Sequence, residues 1–272
     1  MSKNNIDDMS FLDHLEELRW HLIKAVASIF IAATLAFIFK DFIVGILMAP
    51  KKMDFPTYAG LCEISKFLGM DTSFCASELP FVIENRDAAG QFSAHIWTSI
   101  YAGLVIAFPY VLYQLWSFIS PGLQNNERKS SRGFIVVSSL LFFIGVSFGY
   151  YVITPLSLNF LANYNFTEEV SNAWDLQSYI SLVRSSALAS GFVFELPIII
   201  FFLTKVGLVT PQILRTYRKY ALVAVLILSA IITPPDIASQ VIVAIPILIL
   251  YQVSIYISAI VVKTQKKKEK HV

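Results

Sequence analysis

Six charge-poor apolar runs, at 22–40, 92–118, 133–155, 176–204, 219–233 and 237–262, dominate this chain of 272 residues. Within hydrocarbon no water reaches the backbone, so each run must satisfy its own N–H and C=O groups, which restricts it to helix or closed barrel. A helix crosses in roughly 20 residues, and most of the runs reach that length. With 56% hydrophobic and only 15% charged residues, the composition excludes a soluble domain. The expected fold is an all-α integral membrane protein of six transmembrane helices, a single membrane domain over 1–272.

The fifth run breaks the pattern, because about 14 helical residues cover about 21 Å against a hydrocarbon core of about 30 Å. Either the bilayer thins around it, or it forms a hairpin with the sixth run, turning at Thr233-Pro-Pro-Asp236. Both readings make the last two helices short or hairpin-like and return the chain to one side.

Orientation follows from Lys and Arg in the connections. One side collects fifteen: Lys3, Arg19 and Lys24; Arg128, Lys129 and Arg132; Lys205, Arg215, Arg218 and Lys219; and five lysines of the tail 263–272. The other side holds five: Lys40, Lys51, Lys52, Lys66 and Arg86. Both termini are therefore expected to face the cytoplasm. The acid-rich start lacks the basic opening and small-residue cut site of a cleavable leader, so the first span is expected to stay. The two cysteines, Cys62 and Cys75, fall in the outer loop, where an oxidising compartment permits a disulfide.

Within 1–21, Ser10-Phe-Leu-Asp13 reads as a capping box, and Phe11, Leu12, Leu15, Leu18 and Leu22 recur at helical spacing. An amphipathic helix is thus predicted at the inner membrane surface, leading into the first span. Glu17 lies off that stripe, and its plainest role is an ion pair with His14 or His21, each one turn away. Glu127, beyond the second run, reads on its own as a solvated loop charge. Trp116 fits an interfacial aromatic belt. Gly145 and Gly149 form a Gly-x-x-x-Gly pair that lets two helices approach closely.

The most demanding residue is Glu195, an acid inside the fourth run. Its insertion costs about 2.5 to 3.5 kcal/mol, so it is expected to face protein or a wet cavity and to have a function. Arg184, eleven residues earlier, stands about 16 Å away along a helix and is expected to snorkel outward rather than pair with it. Asp236 is placed to cap the last helix, with Gln240 one turn later on the same face.

No phosphate-binding loop, dinucleotide fingerprint, zinc-protease helix or nucleophile elbow is present. The four histidines, His14, His21, His95 and His271, are scattered. Neither an enzyme, nor a cofactor, nor a metal, nor a nucleic-acid partner is expected. A secondary transporter with Glu195 as coupling-ion site and Arg184 as counter-charge is the competing reading, though no internal repeat supports it.

An ordered series of motifs adds to this: Phe11-Leu-Asp-His-Leu-Glu-Glu-Leu-Arg19, Ala49-Pro50, Tyr113-Gln-Leu-Trp-Ser-Phe-Ile-Ser-Pro-Gly-Leu123, Glu127-Arg128, Phe194-Glu195-Leu-Pro197 and Thr233-Pro-Pro-Asp-Ile-Ala-Ser-Gln240. In these the chain resembles, over nearly its full length, the C subunit of the twin-arginine protein translocase, TatC. The resemblance implies a receptor of the bacterial cytoplasmic (inner) membrane that binds twin-arginine signal peptides of folded cargo. It further implies assembly with TatA- and TatB-like single-span subunits and with further copies of itself, in contact with membrane lipid, and transport driven by the proton gradient. By the same resemblance Glu17 and Glu127 receive the arginine pair; Arg19 is placed to orient Glu17 or to hold the helix, and Arg128 to do the same for Glu127. Glu195 is the intramembrane position on a concave, water-accessible surface that meets a partner helix, and Gln240 and Asp236 belong to that region. Where the family often carries a second basic residue after Glu-Leu-Arg, this chain has Trp20 and His21.

Overall fold

The computed structural model describes residues 11–52, 54–67, 79–119, 131–167, 172–233 and 237–269. The elements run α1 (Phe11–Ile38), α2 (Lys40–Met48), α3 (Pro56–Phe67), β1 (Val82–Glu84), α4 (Gly90–Ile119), α5 (Ser131–Phe148), α6 (Thr154–Asn163), β2 (Ala173–Asp175), α7 (Leu176–Phe194), α8 (Leu196–Lys205), α9 (Pro211–Thr216), α10 (Arg218–Ile232) and α11 (Ile237–Glu269). The protein is a helical membrane protein. Among the described residues five helical segments are long and apolar enough to cross a bilayer: Leu15–Ile38, Gly90–Phe118, Gly133–Asn163, Leu176–Lys205 and Ser239–Gln265. The sixth expected segment is α10, whose 15 residues reach only about 22 Å. Its turn into α11, with Asp236, lies outside the described residues, as does Ser10 of the expected capping box.

The chain divides into two compact units, Met1–Gly45 with Ala89–Leu140, and Ile46–Ala88 with Leu141–Val272. In the first, α1 lies along α4. Gly103 permits this, since a Cβ there would stand 2.6 Å from the Ala33 nitrogen. Removing a side chain brings backbones together, and in lipid that packing replaces the hydrophobic drive. Each end of the pair carries a polar tie: His21 Nδ1 to Gln114 Oε1 at 2.7 Å, and His95 Nε2 to the Phe37 carbonyl at 3.1 Å. The His95 ring also stacks on Phe37, centroids 3.9 Å apart. Trp116 departs from the interfacial expectation. It is buried and stacks on Phe134 with centroids 4.7 Å apart, because its large apolar ring fills the joint between α4 and α5.

In the second unit the Gly-x-x-x-Gly pair seats the end of α5 and the wide helical turn Gly149–Ile153 that follows it on α7. A Cβ on Gly145 would meet the Ser190 carbonyl at 2.7 Å, and one on Gly149 would meet the Ala187 Cα, also at 2.7 Å. Both obstacles are backbone, which cannot rotate away. Gly149→Val is therefore expected to destabilise the fold by about 1 to 3 kcal/mol, as overpacking does. Thermal unfolding in detergent reads this out, and an unchanged midpoint would show the contact to be dispensable.

Prolines account for the second unit's other joints. Pro50 and Pro155 lack an N–H, so the carbonyls four residues earlier lose their helical partners. The Ile46 carbonyl receives the Tyr150 hydroxyl at 2.6 Å, and the Tyr151 carbonyl receives the Thr57 hydroxyl of α3. Two further phenols finish the end of α2: Tyr179 donates to the Leu47 carbonyl at 2.9 Å and Tyr58 to the Pro50 carbonyl at 2.7 Å. Burial pushes the Tyr58 phenol upward, so it stays a donor across physiological pH. Ile46, Leu47 and Thr57 are thereby fastened to Tyr150, Tyr179 and Tyr151. Nearby, β1 pairs in parallel with β2, Val82 opposite Ala173, and Phe81 stacks on Trp174 at 4.0 Å.

The last helix is tied at several depths. Gln240 Nε2 donates to the Leu226 carbonyl of α10 at 3.0 Å, and Tyr251 donates to the Leu214 carbonyl of α9 at 2.7 Å. Buried Thr204 donates to buried Ser258 at 2.9 Å, and Gln265 Nε2 reaches the Lys205 carbonyl at 3.0 Å. In a bilayer such bonds replace hydration that the interior cannot offer.

Candidate functional site

The amphipathic start and the first span form one uninterrupted helix, α1. Glu17 is half-buried on it, and its Oε2 is shielded from solvent with no hydrogen-bond partner among the described residues. The plain expectation of an ion pair with His21 is not what the ring does: its Nδ1 goes to Gln114. A shielded carboxylate oxygen without a donor is costly, and a charged donor arriving from outside would relieve that cost. Arg19 is exposed. Two residues on from Glu17 in a helix, it points to a different side of α1. Glu127 and Arg128 lie outside the described residues.

Glu195 sits at the joint between α7 and α8. Pro197 explains the break, since its ring cannot share a turn with the carbonyl of Val193. The Glu195 N–H turns instead to the Phe192 carbonyl at 3.1 Å, and the Glu195 carbonyl receives Ile198 N–H at 2.9 Å. Its side chain is 7% exposed. On either side, Val193 and Leu196 pack into a cluster with Val225 of α10 and Val243, Ala244 and Ile247 of α11. Phe194 meets Phe148 of α5. The acid is thus set at a helical break among three apolar elements, one of which, α11, also carries Gln240. Arg184 does not simply snorkel: it is half-buried on α7 and two of its guanidinium nitrogens are shielded from solvent.

Cys62 is half-buried on α3, and among the described residues no cysteine is free; Cys75 lies outside them. No group of three or more His, Cys, Asp or Glu suited to a metal ion occurs among the described residues. Sequence reasoning missed Gln114 and the three phenols. Pro50 was the available signal for one of them, since it marks the orphaned Ile46 carbonyl that Tyr150 satisfies.

Comparison with known proteins places this geometry in a family. Residues 13–246 match the family model "Sec-independent protein translocase protein (TatC)". The TatC protein of Blattabacterium sp. subsp. Periplaneta americana is 42% identical over 263 residues, covering 96% of this chain and 99% of that protein. That of Aquifex aeolicus is 34% identical, covering 96% and 98%, and TatCy of Bacillus subtilis is 33% identical, covering 95% and 92%. A crystal structure described as a twin arginine translocase receptor, TatC, superposes with a TM-score of 0.68 at 32% identity, over 92% of this chain and 99% of that one. The detergent form in DDM gives 0.70 over 90% and 99%. A match of this extent in sequence and fold is decisive, and the chain belongs to the TatC family of Sec-independent protein translocase proteins.

Proposed function

We propose that this protein is the receptor subunit of a twin-arginine translocase, which binds the paired arginines of a cargo leader through Glu17 and Glu127. The supporting observation is the shielded oxygen of Glu17, a strong acceptor without a donor among the described residues. An arginine guanidinium offers two parallel N–H groups to a carboxylate, a fork that a lysine ammonium does not reproduce. Two adjacent arginines need two such acceptors. One is on α1 and the second is in the connection between α4 and α5.

In this reading Arg128 orients Glu127 and Arg19 holds the inner end of α1. Glu195, with Gln240 and Asp236, meets a polar residue of a single-span TatA- or TatB-like subunit, and further copies of this chain complete the assembly. Transport draws on the proton gradient. The protein resides in the bacterial cytoplasmic membrane with both termini in the cytoplasm, and Cys62 and Cys75 form a disulfide in the outer loop.

Photo-crosslinking tests the assignment. A probe at 17 or at 127 is expected to capture a twin-arginine peptide and not its twin-lysine counterpart. Equal capture of both peptides overturns it.

A further inference from the structure

The connection from α8 to α10 carries two features that conflict in water. Leu208 and Tyr220 are each 71% exposed, Val206 and Tyr217 are exposed as well, and the exposed cations Arg215, Arg218 and Lys219 stand among them. Apolar and tyrosine side chains uncovered beside a span and interleaved with cations are the pattern of a segment lying in a headgroup layer.

The segment is held from behind. Gly207, with φ at +80°, makes the turn after Lys205 in a backbone state that glycine adopts freely. Gln265 of α11 donates to the Lys205 carbonyl at 3.0 Å, and Tyr251 donates to the Leu214 carbonyl at 2.7 Å. Leu214 packs with Ile200 and Ile255, while Arg215 beside it is exposed. Tyr217 ends α9, and its ring lies 5.7 Å from that of Tyr220 between centroids.

Charge selects the occupant. None of Arg215, Arg218 and Lys219 forms an ion pair among the described residues. Between Leu196 and Gln265 the one acid is Asp236, which follows the opposite end of α10 in the chain. A cationic peptide is repelled by such a surface. A phosphodiester is attracted, and its oxygens suit a guanidinium fork and phenol donors. A soluble phosphate would answer the cations and leave Val206 and Leu208 bare, whereas a phospholipid covers both.

We propose that residues 206–220 form a docking site for an anionic phospholipid, its phosphate on Arg215, Arg218 and Lys219 and its glycerol and acyl groups against Val206, Leu208 and the tyrosine pair. This site does not depend on the receptor reading. Each cation near an anionic headgroup contributes about fivefold in affinity.

The test uses the full chain in phosphatidylcholine nanodiscs carrying a small fraction of photoactivatable phosphatidylglycerol, with adducts mapped by peptide mass spectrometry. Wild type is expected to be labelled within 206–220 at least about fivefold above a photoactivatable phosphatidylcholine control. Arg218→Gln and Lys219→Gln should each lower that labelling about fivefold, and Arg218→Lys should keep most of it. Lys24→Gln, which removes an exposed cation from α1, should leave it unchanged. Unlabelled phosphatidylglycerol should compete, and millimolar glycerol phosphate should not. Equal labelling by the two lipids, or an equal drop in all three Gln variants, shows only the general attraction of a basic surface and overturns the proposal. Competition by glycerol phosphate, which marks a site for free phosphate, overturns it too, as does crosslinking of 206–220 to a second copy of the chain in place of lipid.

Discussion

Replacing Glu17 and Glu127 together by Gln is expected to abolish measurable binding of a twin-arginine peptide while leaving the fold intact. A charge-assisted hydrogen bond is worth about 1.5 to 3 kcal/mol, and each 1.4 kcal/mol is about tenfold in affinity. Each single variant should thus lose about ten- to a hundredfold, and the pair should lose more than either alone. The fold should not suffer, because Glu17 Oε2 has no hydrogen-bond partner among the described residues for a substitution to break. An amide of the same shape even relieves the cost of shielding a charge. Peptide titration in nanodiscs reads the affinity, and thermal unfolding confirms the fold. Unchanged binding in the double variant would remove both carboxylates from the site.

The second large effect concerns Glu195. Glu195→Ala is expected to leave peptide binding within about twofold, since a change of a few tenths of a kcal/mol is normal away from a site, yet to stop cargo transport. Its burial at 7% exposure, at a break between two helices, marks a polar group kept in lipid at a cost that stability alone does not justify. Glu195→Gln divides the possibilities: the amide retains a polar contact with a partner helix and loses the charge. Partial transport with Gln and none with Ala would indicate a hydrogen bond to the partner. Normal transport with Ala, measured in inverted vesicles, would contradict the assignment.

The fold was legible where a physical constraint was strong. Hydrocarbon demands long apolar helices, and the five crossing segments and the short α10 follow from run length alone. The close approach at Gly145 and Gly149 follows equally from missing side chains. Residues with two chemical faces were harder. Trp116 carries both an apolar body and a polar edge, and composition could not say that Phe134 would cover it. His21 offered a partner on its own helix, Glu17, and another ninety-three positions away, Gln114; only tertiary packing decides between them. The ends of α2 show the same limit. Pro50 announces an unsatisfied carbonyl, but not that Tyr150, Tyr179 and Tyr58 converge there.

The candidate site was legible as a set of acids rather than as a geometry. Glu195 stands out because it is the one acid in its run. Glu17 does not stand out, being one of five acids in the first 21 residues. What separates it is the shielding of one oxygen, which arises only when α1 is placed in its surroundings.

The central claim is that two carboxylates distinguish an arginine pair from a lysine pair, and the affinity gap between those two peptides measures it most directly. In wild type the twin-arginine peptide should bind at least about tenfold more tightly, and in Glu17→Gln/Glu127→Gln the gap should close to nearly nothing. A gap that persists without either carboxylate, or a wild-type protein that holds twin-lysine peptides as tightly, would contradict the account.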